Sequence, residues 1–557
     1  MKLRRKKCEG EKIYMQDLPI GIQTFEDIRN EDFVYVDKTK HLFNLVRKKG
    51  VYFLSRPRRF GKSLTISTLE AMFQGKAELF KGLYAEEWVK EKAKHPNPVI
   101  KLDMSGLGNY TNISELSSAL IDYLGEIIDD YNLNIQLKEN AGRIFAKIIK
   151  ELYKKFGKVV LLIDEYDKPI TDNINDLEKA NEIRDFFRKF YGILKNSSTI
   201  DNLHFVFITG VSKFSKAGIF SCLNNLEDIS MTREYADIVG YTQQELEENF
   251  SDWLEKTEKK LSFDRKELLA TIKKYYDGFS FDGIVRVYNP FSVLNFFKQG
   301  NFGNYWYNSA LFFPPSKKEL NVSSFLAKYL KSHKIKAPKE YTQKKVYEDF
   351  TNSHEIESTS VESFLYQAGY LTISERKGNI LILDYPNEEV KSSMDRLFLE
   401  NFYNIQDDAE FSNDIWESLE AENIPQVVSI FNESLKAIPE NIFAPSIEGE
   451  KKQDDYKDRD ESWYRSLFLM LLSGAKITYF SEVHTFRGRP DVVVSFRDKL
   501  VVVIEFKFAL TSKDVNKKRK EGEEQIKSRD YASAYKSTKK IITAVFVADD
   551  EKRQIII

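Results

Sequence analysis

Four short runs in the first half of the chain, GVYFL (50–54), VIKLD (99–103), VVLLI (159–163) and HFVFIT (204–209), are apolar at almost every position. A strand with one wet face alternates apolar and polar residues, so a run without a polar phase reads as a strand buried on both faces of a parallel sheet. Helical spacing fills the intervals, as in SLTISTLEAMF after the first run and ENAGRIFAKIIKELYKKFG before the third. From Ile20 to about Ser230 this alternation predicts a doubly wound α/β domain.

From Tyr241 to about Glu440 the period becomes helical. YTQQELEENFSDWLEK opens with Thr242 and a glutamate three residues on, the signature of a capped helix start. YYDGFSFDGIVRVYNPFSVLNFF (275–297) is punctuated by Gly278, Gly283 and Pro290 and reads as turns between helices. GYLTI (369–373) is expected to pair as a strand with NILILDYP (379–386). The charged stretch EGEKKQDDYKDRD (448–460) suits a linker or a mobile helix start. After it the α/β pattern returns: the helix ESWYRSLFLMLL, the strands DVVVSF and LVVVIEFKF, the helix KRKEGEEQIKSRDYASAY and a last strand IITAVFVA. The expected division is 1–240, 241–445 and 455–557, with no internal repeat.

The first strand runs directly into FLSRPRRFGKSL (53–64). Gly61, Lys62 and Ser63 fill the last places of G-x-x-x-x-G-K-[ST], and Arg56 stands where its first glycine belongs. A phosphate cradle needs inward N–H groups, a lysine that reaches the β- and γ-phosphates, and a hydroxyl for Mg²⁺. A strand, a bend at Pro57 and Gly61-Lys62-Ser63 opening a helix supply that order. The arginine removes a source of tight backbone geometry but no N–H donor, whereas Pro57 has none to give. Arg58 and Arg59 add cations, and the nucleotide-contacting stretch is expected to run through Arg58, Arg59, Phe60, Gly61, Lys62, Ser63 and Leu64. The plainer reading of the same letters is a basic strand-to-helix turn.

A second feature favours the cradle. VVLLIDEYDKPI places Asp164 and Glu165 at the carboxyl end of a buried strand, where open α/β sheets bind ligands. Asp164 is suited to hold Mg²⁺ through water, and Glu165 to orient or activate an attacking water. Asp167 is expected to pack against Lys168 or Lys62 without a catalytic role. Thr209 ends the next strand, placed either to sense a γ-phosphate or to make an ordinary strand-end hydrogen bond.

GRPDVVVSFRDKLVVVIEFKF poses a different question, because Glu505 and Lys507 interrupt an apolar strand. Burying a charge is costly unless it is paired or bound to metal. Alternation puts Glu505 and Lys507 on one face and Phe506 on the other. A hairpin turn centred near Asp498 would set Asp491 opposite Glu505, and two facing acids repel unless a cation joins them. The run KDVNKKRK (513–520) follows; it could track a phosphate backbone, but a solvated helix face is the commoner meaning.

Composition narrows the rest. With 42% hydrophobic and 30% charged residues the chain is of globular type, and its 557 residues suit about three domains. No apolar stretch approaches membrane-spanning length, and the basic N-terminus lacks the apolar core of a signal peptide. Two cysteines, Cys8 and Cys222, and six scattered histidines speak against disulfide frameworks and structural zinc, so a reducing cytoplasm fits. A net charge of −1 offers nucleic acid no global field.

LPIGIQTFEDIRNEDFVYVDKT, RPRRFGKSL, LLIDEYDKPI and ITGVSKFSKAGIFSCLNNLEDI together resemble the bacterial predicted AAA-ATPase-like family of P-loop proteins. YYDGFSF, VYNPFSVLNFF and QAGYLTI extend that likeness over nearly the whole chain, and an arginine in the first glycine's place is similar to what members carry. Arg233 in MTREYADI is a candidate arginine finger. Asp491…Glu505-x-Lys507 resembles the PD-(D/E)XK nuclease superfamily, which implies Asp491 and Glu505 as metal ligands and Lys507 as catalytic lysine. The same resemblance implies Glu461 as a further metal ligand and Gln525 as a polar position on the following helix. The function so implied is ATP binding and hydrolysis coupled to Mg²⁺-dependent cleavage of nucleic acid, DNA ahead of RNA, without a membrane and with oligomerisation open. The alternative is an ATP-dependent switch whose C-terminal fold is a degenerate nuclease kept for binding.

Overall fold

The computed structural model describes residues 15–174, 176–213, 219–220, 223, 225–310, 322–333, 335, 341–351, 359–403, 405, 409–438, 460–481, 490–497, 499–529 and 540–557. Two compact units emerge, Met1–Ala310 with Tyr341–Glu389, and Leu311–Glu340 with Val390–Ile557. Cys8, Cys222, Gly488, Arg489, Asp498 and the stretch 448–459 lie outside the described residues. Among those residues no helix is long and apolar enough to cross a membrane.

The first unit is built on five parallel strands, β1 (Gly50–Ser55), β2 (Val99–Asp103), β3 (Val159–Asp164), β4 (Leu203–Gly210) and β5 (Leu226–Asp228), in the order β2-β3-β4-β1-β5. All four apolar runs are therefore strands of one sheet, and the three-residue β5 is too short and polar to show in the pattern. β3 is buried along its whole length, and Ile144, Ile148, Leu152, Ile183 and Phe187 pack in the same core. The order sets β4 between β1 and β3. Leu54 faces Thr209 and Ile163 faces Ile208, so the ends of β1, β3 and β4 form one row at the carboxyl edge.

Beyond Gly240, Thr242 and Glu245 form the expected capping box, but the helix they open stops at Asn249 and a second runs Ser251–Leu261. Phe250 leaves helical geometry between them, buried and stacked on Phe297 at 5.4 Å. A small sheet of β6 (Lys344–Tyr347), β7 (Thr372–Lys377) and β8 (Ile380–Asp384) contains the expected pairing, Ile373 facing Leu383. Within 275–297, turns join the end of helix Arg265–Tyr276 to helix Pro290–Gln299, as expected.

Glu389 sits at the heart of this region, fully buried, accepting hydrogen bonds from the Ser292 hydroxyl (2.7 Å) and the Trp306 N–H (2.6 Å). Burial pushes its carboxyl up to about 8, against the pull of those hydrogen bonds. Between the ordinary value of 4.5 and about 8 the folded chain thus holds a proton that the unfolded chain has lost. Its stabilising effect is complete below the lower value and vanishes as pH rises through the upper one, with a slope of at most about 1.4 kcal/mol per pH unit. Glu389→Gln is expected to remove this slope, which urea unfolding of parent and variant from pH 5 to pH 9 would measure as a widening stability difference.

The second unit carries a mixed sheet of β9 (Thr478–Ser481), β10 (Val492–Phe496), β11 (Leu500–Ala509), β12 (Lys540–Asp549) and β13 (Gln554–Ile556), ordered β13-β12-β11-β10-β9. IITAVFVA is not the last strand: β13 returns antiparallel to β12, and Asn432 of helix Ile424–Ala437 brackets Ile555 with two hydrogen bonds. β10 and β11 pair antiparallel, Phe496 facing Leu500 and Val492 facing Ile504. Helix Glu461–Gly474 starts at Asp460, whose side chain accepts from the Trp463 N–H, and lays Phe468 on Phe506 and Phe546.

Candidate functional sites

The loop between β1 and helix Lys62–Phe73 answers first where strain is needed. Arg56 lies outside the left-handed region, so its position does not require glycine. The positive φ values fall at Arg59 (66°) and Gly61 (95°), and Gly61 caps the helix. A residue other than glycine at 61 would pay about 1 kcal/mol in that conformation. Lys62 is 5% exposed, and its ammonium donates to the carbonyls of Arg56 and Pro57, both at 3.0 Å, so the loop closes around its own lysine. Burial lowers the Lys62 pKa, while Glu165, Asp164 and Asp167 oppose the shift.

At the adjoining strand ends, the Thr209 hydroxyl and the Glu165 N–H (3.0 Å) both donate to Asp164 Oδ1. Thr209 and Asp164 are buried, and Glu165 adopts φ 48°, which turns it out of the strand line. Burial pushes the Glu165 carboxyl up, with Lys62 pulling it back. Lys62, Asp164, Glu165 and Thr209 thus share one electrostatic neighbourhood.

The remaining loop residues do different work. Phe60 is buried, its ring 4.8 Å from Phe279 and 5.8 Å from Phe281. Arg59 is exposed over Phe291, and the Arg58 carbonyl accepts from the Trp306 indole at 3.0 Å. Ser63 and Leu64 lie half-buried in the first helical turn. Arg233 is exposed in the turn Arg233–Tyr235. Asp167 does not pack on a lysine as expected. It accepts from the Val211 N–H (3.2 Å) and from the N–H and hydroxyl of Ser212 (both 2.6 Å), while Lys168 pairs with Asp172. The reason lies in the neighbouring strand: two backbone donors past the end of β4 point inward and need an acceptor.

In the second unit, Glu505 and Lys507 share a face of β11 and meet at 2.8 Å, while Phe506 turns into the core. The β10–β11 register puts Asp491, one step before Val492, opposite Glu505. Asp491 does not face Glu505 as a bare charge: Arg465 donates to its Oδ1 and the Phe506 N–H to its Oδ2, each at 2.8 Å. Glu461 lies one helical turn before Arg465 and within electrostatic reach of Lys507 and Asp491. Burial raises the pKa of both Glu461 and Glu505. Glu505 is 1% exposed, and its Oε2 has no hydrogen-bond partner among the described residues.

That orphaned oxygen beside a second carboxylate fits a cation. A ready cage is not formed, however: among the described residues no group of three or more His, Cys, Asp or Glu side chains converges. Gln525 is half-buried on helix Val515–Arg529, which packs against β11 and β12. The basic run opens the same helix, with Lys518 paired to Glu521 and Arg519 to Glu523, as on a solvated face. The sequence reading missed Arg465, although its spacing of four from Glu461 puts the two on one helix face.

The model of a predicted AAA-ATPase matches residues 19–220, and that of the PD-(D/E)XK nuclease superfamily matches residues 459–557. A protein of Azotobacter chroococcum mcd 1, described as an uncharacterized protein in the vnfD 5′ region, is 32% identical over 532 residues, covering 93% of this chain and 94% of its own. Among solved structures, a Walker-type ATPase of Pyrococcus abyssi aligns with TM-score 0.33 at 12% identity, over 66% of this chain and 97% of its own. The ORC2 protein of Aeropyrum pernix, solved in ADPNP–ADP complexes, aligns with TM-score 0.27 at 11% identity, over 70% and 94%. The chain belongs to the family of the Azotobacter protein, and it joins a predicted AAA-ATPase domain to a C-terminal domain of the PD-(D/E)XK nuclease superfamily.

Proposed function

We propose that the chain binds and hydrolyses ATP in its first unit and cleaves phosphodiester bonds in its second, with Mg²⁺ at both sites and DNA ahead of RNA as substrate. What supports the reading is that each unit buries a charged side chain that a ligand would complete. Lys62 spends its ammonium on loop carbonyls that phosphate oxygens would replace, and Glu505 keeps an unpartnered oxygen. In the first unit Ser63 and Asp164 are the residues to hold Mg²⁺, Glu165 to orient water and Thr209 to fix Asp164. In the second, Asp491 and Glu505 would hold the metal with Glu461 in reach, and Lys507 would place a cation at the scissile phosphate. A divalent cation bound there supplies Lewis-acid polarisation of the phosphate and a water of lowered pKa.

The occupation of Asp491 by Arg465 and of Glu505 by Lys507 favours a second reading, an ATP-dependent switch with a degenerate nuclease fold. Incubation of the full-length protein with supercoiled plasmid, linear duplex and RNA, with and without Mg²⁺ and ATP, separates the two. The nuclease reading expects Mg²⁺-dependent nicking of plasmid. Intact substrates under every condition would leave the switch.

A further inference from the structure

A guanidinium is expensive to bury, yet Arg56 is 1% exposed, and burial lowers its pKa to about 10. Its partners are backbone carbonyls. Nη1 donates to Ser55 (2.8 Å) and Ser230 (2.6 Å), Nη2 donates to Tyr235 (3.1 Å), and the charged plane lies 3.9 Å from the centre of the Phe281 ring. One side chain therefore ties the end of β1 to the turn after β5 and to the Phe279–Phe281 turn. Its own carbonyl, held in place by this anchorage, is one of the two that receive Lys62.

The residues after it are held from the same side. Phe60 packs against Phe279 and Phe281, and the Arg58 carbonyl takes the Trp306 indole N–H. Gly369, at φ +92°, lies so close to Pro57 that a Cβ on it would stand 2.7 Å from the proline Cβ. The first half of the loop is thus shaped by contacts with 230–235, 279–281, Trp306 and Gly369, and the left-handed glycine is needed only at 61.

We propose that Arg56 is a positioning residue of the nucleotide site: through Ser230, Tyr235 and Phe281 it presets the loop, so that glycine in its place, the residue most phosphate loops carry, weakens nucleotide binding. The inference rests on the nucleotide reading given above. Glycine at 56 would leave the Ser230 and Tyr235 carbonyls buried without their donor and free the loop's first backbone link.

The test is calorimetry of ATP with Mg²⁺ on the full-length parent, Arg56→Gly, Arg56→Lys and Lys62→Ala, together with peptide-resolved hydrogen exchange. Arg56→Gly is expected to bind at least about ten-fold more weakly than the parent. Arg56→Lys, which keeps the cation but loses the planar fork, should fall between them. Exchange in Arg56→Gly should rise over 54–64 and 228–237 while β3 stays protected, which a general loss of stability would not produce. If Arg56→Gly does not fold, Phe281→Leu takes its place: it keeps the arginine, removes the ring beneath it, and should still weaken ATP measurably. Parent-like affinity in the folded variant, while Lys62→Ala has lost binding, overturns this inference alone. A parent that binds no ATP overturns it together with the nucleotide reading.

Discussion

Lys62→Ala should abolish ATP binding by the full-length protein, with affinity falling by at least about 100-fold. The lysine supplies the cation at the β- and γ-phosphates in the proposed complex, and charge-assisted hydrogen bonds are the strong ones. Before any ligand arrives, its ammonium also satisfies the Arg56 and Pro57 carbonyls, so alanine removes both the phosphate partner and an internal brace of the loop. Glu165→Gln should keep the binding and lose turnover, since Glu165 stands beside Asp164 at the edge of the sheet and braces none of the loop carbonyls. Calorimetry with ATP and Mg²⁺ reads the effect directly. Parent-like affinity in Lys62→Ala would remove the phosphate-loop reading.

Glu505→Gln should reduce Mn²⁺ affinity of the full-length protein by at least about ten-fold, because a neutral amide replaces one of two negative ligands. A second readout follows from mass action: millimolar Mn²⁺ should raise the unfolding temperature of the parent and leave the variant unmoved. The same substitution considered from sequence alone would relieve repulsion between facing acids. The structure changes that expectation, since Arg465 and Lys507 already counter Asp491 and Glu505. Metal must therefore compete with resident cations, and a parent that shows no Mn²⁺ effect would leave these acids a structural role.

Much of this architecture is legible because two-sided burial leaves a plain mark. β1 to β4 are apolar at nearly every buried position, with the buried polar residues Ser55, Asp164 and Thr209 gathered at the carboxyl ends, and Gly61-Lys62-Ser63 and Glu165 follow those ends. Glu505 and Lys507 were visible because charges are rare in such a strand. The chain hides what depends on contacts far apart in sequence. Nothing local tells that Arg56 is sealed by carbonyls at 230 and 235, that Asp167 serves Val211 and Ser212, or that Glu389 is buried against Ser292 and Trp306. Each is a polar side chain whose partner is supplied by another turn. The break at Phe250 belongs to the same class: a buried ring on Phe297 overrides a continuous helical pattern.

The most direct test of the central claim, a nuclease centre on the same chain as a nucleotide site, is the rate of Mg²⁺-dependent cleavage of supercoiled plasmid by the full-length parent and by its Lys507→Ala variant. Lys507 donates to Glu505 and to the Phe506 carbonyl within its own unit, so its loss should spare ATP affinity. The expected result is nicking by the parent and a rate at least about 100-fold lower in the variant, with equal ATP binding by both. Equal rates in parent and variant, or no cleavage by the parent with ATP and Mg²⁺ present, would contradict it.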